Sequence, residues 1–146
     1  MALAVLWLPI SGLAAINLRT DRSFSLPSIE VRSTPQSVYS GDLTLDLINN
    51  NDSAGWILTG EVDTGHLIGS SSGERIPATL AFKSITWVKG GNGNAAGITI
   101  SPNGSTIEAD PGFGLGQYTI VFEIRYDVPA YPRADSYQGV STFIIQ

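Results

Sequence analysis

The chain has no cysteine and a single histidine, His66. The first absence removes disulfides, thiolate metal sites and cysteine nucleophiles. The second rules out a histidine-rich metal centre. Any serine–histidine–carboxylate chemistry would fall on one residue in a Gly/Ser stretch, with no Gly-x-Ser-x-Gly elbow in the sequence. Charge is also scarce, at 14% of residues against roughly 25% in a typical soluble protein. The eight Lys and Arg stand singly, so no cluster exists to neutralise phosphates. Nucleic acid and electrostatic docking on an anionic membrane are excluded on that ground. No apolar run reaches the length of about 20 residues that a membrane-spanning helix needs.

Sixteen Gly and eight Pro among 146 residues divide the chain into short pieces. Ser, Thr, Asn and Gly fill the intervals between apolar runs. That pattern, without a helical period, predicts one all-β domain: an antiparallel β-sandwich of Greek-key or immunoglobulin-like type with about eight or nine short strands. The net charge of -5 and the Ser/Thr/Asn-rich surface fit a secreted, cell-surface protein.

The alternation of side chains places the strands. Leu43, Leu45 and Leu47 share one face of Asp42 to Ile48, and Trp56 and Leu58 share a face of the next strand. Tyr118, Ile120, Phe122, Ile124 and Tyr126 face inward along the clearest strand. In Ala78 to Val88 the apolar parity changes midway, which predicts a β-bulge near Lys83-Ser84. Ser23 to Arg32 reads as an edge strand because Pro27 cannot donate to a ladder. Pro102-Asn103-Gly104 closes a hairpin between Ile98–Ile100 and Thr106–Ala109. Gly65 to Arg75 reads as a loop, and Lys89 to Gly97 as a hairpin loop. Tyr137 to Ile145 closes the fold.

Residues 1–22 stand apart from the domain at 23–146. Met1 to Ile16 is apolar without one charge, and Asn17 to Arg22 reads as a polar linker. The segment has the character of a signal-peptide core, with Gly12-Leu13-Ala14 as a small-x-small site. It equally suits a donor strand that leaves one sandwich and enters the next. On that second reading Leu3, Val5, Leu6, Trp7, Leu8 and Ile10 are the assembly residues, and the partner is another copy in a head-to-tail contact.

Two stretches carry a family resemblance. One is Gly55-Trp56-Ile57-Leu58-Thr59 after a polar Asn/Asp loop; the other is Tyr137 to Ile145, with Phe143, Ile144 and Ile145 at its end. Between them lie Gly112-Phe113-Gly114-Leu115-Gly116 and Val128-Pro129-Ala130. Over residues 24 to 146 the chain resembles the WxL domain of bacterial surface proteins. The resemblance implies a β-rich secreted domain held non-covalently at the cell wall, on peptidoglycan or another wall polymer. Trp56 and Leu58 would form its proximal motif, and Tyr137, Phe143 and Ile145 its distal one. Read from parity alone, the same five residues are core packing.

Other chemistry is weakly supported. The carboxylate pairs Glu61 with Asp63 and Glu108 with Asp110 are the best placed for glycosidase work, yet their spacing points them outward as solvated residues. Asp42, Asp46, Asn50 and Asp52 lack EF-hand spacing for calcium. The glycines from Gly112 to Gly116 precede a strand, whereas a phosphate loop opens a helix. No catalytic residue, cofactor or metal site is assigned. Asn51 and Asn103 fit the glycosylation acceptor pattern. Tyr39, Trp87, Tyr126 and Tyr131 are the aromatics that could stack on a glycan, as in a carbohydrate-binding module.

Overall fold

The computed structural model describes residues 2–7, 16–20, 23–26, 28–50, 55–91, 97–101 and 104–146, with residues 2–7, 17 and 23–25 as backbone alone. Its strands are β1 Ala2–Trp7, β2 Ile16–Thr20, β3 Ser23–Ser25, β4 Gln36–Tyr39, β5 Leu43–Asn49 and β6 Trp56–Val62, then β7 His66–Gly69, β8 Arg75–Lys89, β9 Ile98–Ile100, β10 Thr106–Ala109, β11 Gly116–Val128 and β12 Tyr137–Ile145. The fold is an all-β, largely antiparallel sandwich, and it has more strands than the expected eight or nine.

One layer runs β2-β5-β11-β8, with β4 beside β11; the other runs β3-β1-β12-β6-β10-β9. The layers meet through aromatic side chains. The Phe122 and Phe143 ring centroids lie 5.4 Å apart, and Trp56 and Tyr118 meet edge-on at 6.5 Å. Such aromatic pairs add to the burial term that drives the layers together. Along one side β7 bridges the layers, pairing with β8 through Arg75–Pro77 and with β12 at Tyr137 and Gln138.

The strongest alternations in the sequence become the core. Leu43, Leu45 and Leu47 are buried, and Tyr118, Ile120, Phe122, Ile124 and Tyr126 are all fully buried. The bulge expected near Lys83-Ser84 is present: Val121 pairs with Ser84 and Phe122 with Phe82, leaving Lys83 as the extra residue. The predicted β9–β10 hairpin also forms, with Ile100 opposite Ile107.

Four expectations are corrected. Residues 17–20, four of the six in the supposed linker, form β2 with Ile16 against β5, with Leu18 buried. Within the Gly65–Arg75 stretch, His66–Gly69 is strand β7, entered through a 3-10 turn at Asp63–Gly65. Ser23 to Arg32 keeps strand geometry only through Ser25. Finally, β8 and β9 do not pair with each other, so the residues between them close no hairpin.

Candidate assembly site

The two edges of β12 are occupied differently. Ser141, Thr142 and Phe143 pair with Val62, Glu61 and Gly60 of β6, and the same three residues pair with Val5, Leu6 and Trp7 of β1. A strand residue has only two hydrogen-bonding sides, so β1 and β6 flank β12. β7 continues along the β6 side, the 3-10 turn at Asp63–Gly65 acting as a local insertion between them. Among the described residues β1 is therefore the strand that covers this edge of β12 from Gly139 to Phe143. Its own far side meets β3 only from Ala2 to Ala4. Among the described residues this is the one parallel pairing; every other ladder is antiparallel.

Of the expected assembly residues, Leu3, Val5, Leu6 and Trp7 thus belong to β1, and Leu8 and Ile10 lie outside the described residues. In this structure β1 seats on the β12 of its own chain.

The start of β12 is pinned by two carboxylates that the sequence reading did not single out. The Tyr137 hydroxyl donates to the Glu74 carboxylate, and the Arg133 N–H donates to Glu74 Oε2 at 2.9 Å. These bonds hold the Glu74 carboxyl below its usual range, Tyr137 contributing most. Burial first, and then Glu74, push the Tyr137 hydroxyl up to about 12. Asp135 accepts from the Ser72 N–H and hydroxyl, both at 2.7 Å, and from the N–H groups of Ser71 and Ser136. The Ser72 donors, foremost among these, hold its carboxyl far below the usual range. Ser70-Ser71-Ser72-Gly73 signals a turn by composition; its partner, 63 positions on from Ser72, has no local signal.

The five motif residues come together on neighbouring strands. Ile145 lies opposite Leu58 and Phe143 opposite Gly60, and Trp56, Leu58, Tyr137, Phe143 and Ile145 are all buried. The Trp56 Nε1–H donates to the Gly114 carbonyl at 3.1 Å, which also accepts from Asn49 Nδ2 at 3.1 Å. Gly114 has φ +75, and a Cβ there would stand 2.3 Å from Trp56 Nε1. Glycine adopts that conformation without strain, and its lack of a Cβ permits that approach.

The remaining candidates scatter. Glu61, Glu108 and Asp110 are exposed, while Asp63 accepts from Thr142 Oγ1 at 2.8 Å. His66 contacts the Thr64 carbonyl at 2.6 Å through Nδ1. Asp42 pairs with Lys83, and Asp46 accepts from Thr119; Asp52, Asn51 and Asn103 lie outside the described residues. Among the described residues no three His, Asp or Glu side chains converge as metal ligands would. Tyr126 is fully buried, which corrects its place among the glycan-stacking aromatics. Trp87 and Tyr39 are exposed, but they lie opposite Tyr118 and Arg125 of β11. At about 3.3 Å per residue that separates them by roughly 23 Å, too far for one sugar-binding platform.

No protein-family model matches the chain, and no curated protein matches it.

Proposed function

We propose that this is a non-enzymatic structural protein of the cell surface that self-assembles by exchanging β1 between copies. The observation that carries the reading is the parallel seating of β1 on an edge of β12 that no other strand among the described residues covers, with Leu3 opposite Gly139 through Trp7 opposite Phe143. A bare edge of that length is a template for strand addition, and strand addition satisfies the backbone of donor and acceptor together. A β1 from a second copy would make the same contacts as the resident one. Exchange therefore costs little in contact energy, and chain connection and concentration decide between the two forms.

Eight residues, 8–15, connect β1 to β2, and an extended chain of that length reaches roughly 26 Å. That suffices to deliver β1 to a neighbouring sandwich. Donor strand and acceptor edge are different surfaces, so the contact is heterologous and propagates head to tail. The scarcity of charge and the uncharged Met1 to Ile16 stretch support an extracellular setting.

The second reading, a WxL-type domain bound to a wall polymer, would need another surface. Its five motif side chains are buried in this conformation.

Removing residues 1–15 tests the proposal, since β2 begins at Ile16 and stays in place. Full-length protein should form filaments under the electron microscope, and the truncated form should sediment as a monomer with an unchanged β-type circular dichroism spectrum. If both forms assemble alike, or neither does, the exchange reading fails.

A further inference from the structure

Leu26, Ile29 and Val31, just after β3, and Pro132, Ala134 and Tyr137, at the entry to β12, line a cleft of about 320 Å³. That is the lower end of the range for small-molecule sites, roughly 300–1,000 Å³. Tyr131 stands beside it. Its N–H donates to the Arg32 carbonyl at 2.8 Å, which ties the two walls together next to Val31 and Pro132. Tyr131 is 70% exposed, and its φ of +51 is left-handed, a conformation shared among the described non-glycine residues only by Thr64. A bulky residue is held there at a conformational cost while contributing little burial to the fold.

The carboxylates here are already bonded within the fold. Asp135 accepts from the N–H groups of Ser71, Ser72 and Ser136 and from the hydroxyls of Ser70 and Ser72. Glu74 accepts from the Tyr137 hydroxyl and the Arg133 N–H. By contrast, among the described residues the Arg133 guanidinium makes no ion pair, and the Ser28 and Ser136 hydroxyls, which also line the cleft, have no partner. One cation beside two carboxylates gives no net positive charge to hold an anion. Carboxylates that are already saturated leave little to coordinate a cation. Nor does either wall offer a strand edge, because residues 28–31 and 132–136 lie outside every ladder. An extended peptide therefore finds no backbone to pair with.

We propose that this cleft binds a pyranose unit of an uncharged polysaccharide, with one face of the sugar on the Tyr131 ring and its hydroxyls on Arg133, Ser28 and Ser136. A sugar ring is neutral, carries several hydroxyls and has an apolar C–H face, which matches what the cleft leaves unengaged. Tyrosine supplies a large, rigid contact face at low entropic cost. The guanidinium offers a planar fork of donors that spans two neighbouring hydroxyls, and each serine hydroxyl can both donate and accept. No residue lining the cleft belongs to β1, so the inference stands apart from β1 exchange.

The test is saturation-transfer NMR on full-length protein, which is read from the sugar and so does not depend on the assembly state. The probes are cellotetraose, chitotetraose and mannotetraose, with tetragalacturonate as the acidic counterpart. At least one neutral probe should bind, with the strongest transfer to the C–H protons of one ring face, and more tightly than tetragalacturonate. Tyr131→Gly accepts the left-handed backbone without strain. It should match or exceed the parent in thermal unfolding yet bind at least tenfold more weakly, while Tyr131→Phe keeps the affinity. Arg133→Gln, which retains the N–H that Glu74 accepts, should also weaken binding at least tenfold. No transfer to any neutral probe at millimolar sugar, tighter binding of tetragalacturonate, or full affinity in Tyr131→Gly or Arg133→Gln overturns the proposal.

Discussion

The ring of Phe143 lies directly over Gly60: a Cβ on Gly60 would stand 2.7 Å from the ring. These two residues face each other across the β12–β6 ladder. Gly60 is the hole that admits the ring, which continues inward to Phe122. Phe143→Ala should cost about 3–5 kcal/mol, as buried aromatic truncations do. Gly60→Ala should cost about 1–3 kcal/mol through overpacking. Urea unfolding measures both, and a Gly60→Ala protein as stable as the parent would show that the ring can move aside.

Trp56 offers a comparison of two losses at one contact. Trp56→Phe removes the bond to the Gly114 carbonyl, but Asn49 still donates to that oxygen. The expected cost is about 1–2 kcal/mol, a lost hydrogen bond plus a smaller ring. Gly114→Ala adds a clash at 2.3 Å and strains a backbone at φ +75, so it should be the more damaging change. Thermal unfolding of the two variants checks the order.

The carboxylates at the start of β12 set a pH dependence. Asp135 and Glu74 have folded-state pKa values below their ordinary ones. Their contribution is therefore present above about pH 4 and is lost as pH falls toward the folded values. Tyr137 is raised to about 12; its contribution is present below about pH 10 and is lost as pH rises through 12. Stability should thus decline at both extremes. Asp135→Asn should be less stable at neutral pH and show a shallower acid decline. Urea midpoints from pH 2 to 11 measure this, and an unchanged acid limb in Asp135→Asn would contradict it.

The legible parts of the fold were those where alternation runs long enough to be unambiguous. Five inward residues from Tyr118 to Tyr126 and three from Leu43 to Leu47 leave no doubt about face, and the parity change in β8 located its bulge at Lys83. β2 was hidden because Asn17, Arg19 and Thr20 outnumber its inward Leu18, so composition read as a linker what long-range pairing with β5 makes a strand. β7 was hidden by the glycines around it. The motif residues were readable as two pairs of faces, but their meeting across β6 and β12 depends on strand order, which no local pattern encodes. The seat of β1 is invisible for the same reason, since its partner lies more than 130 positions away.

The most direct test of strand exchange uses the pairing of Ala4 with Val140 in a chain with no other cysteine. Paired residues on neighbouring strands lie within disulfide reach. Chains carrying Ala4→Cys alone and Val140→Cys alone are mixed, unfolded, refolded together and oxidised. Exchange predicts a mixed disulfide joining the two kinds of chain, and a double-cysteine chain oxidised as a dilute monomer that no longer forms filaments. If the double variant closes its disulfide within each chain while the mixed singles yield no heterodimer, β1 stays on its own β12 and the assembly account is contradicted.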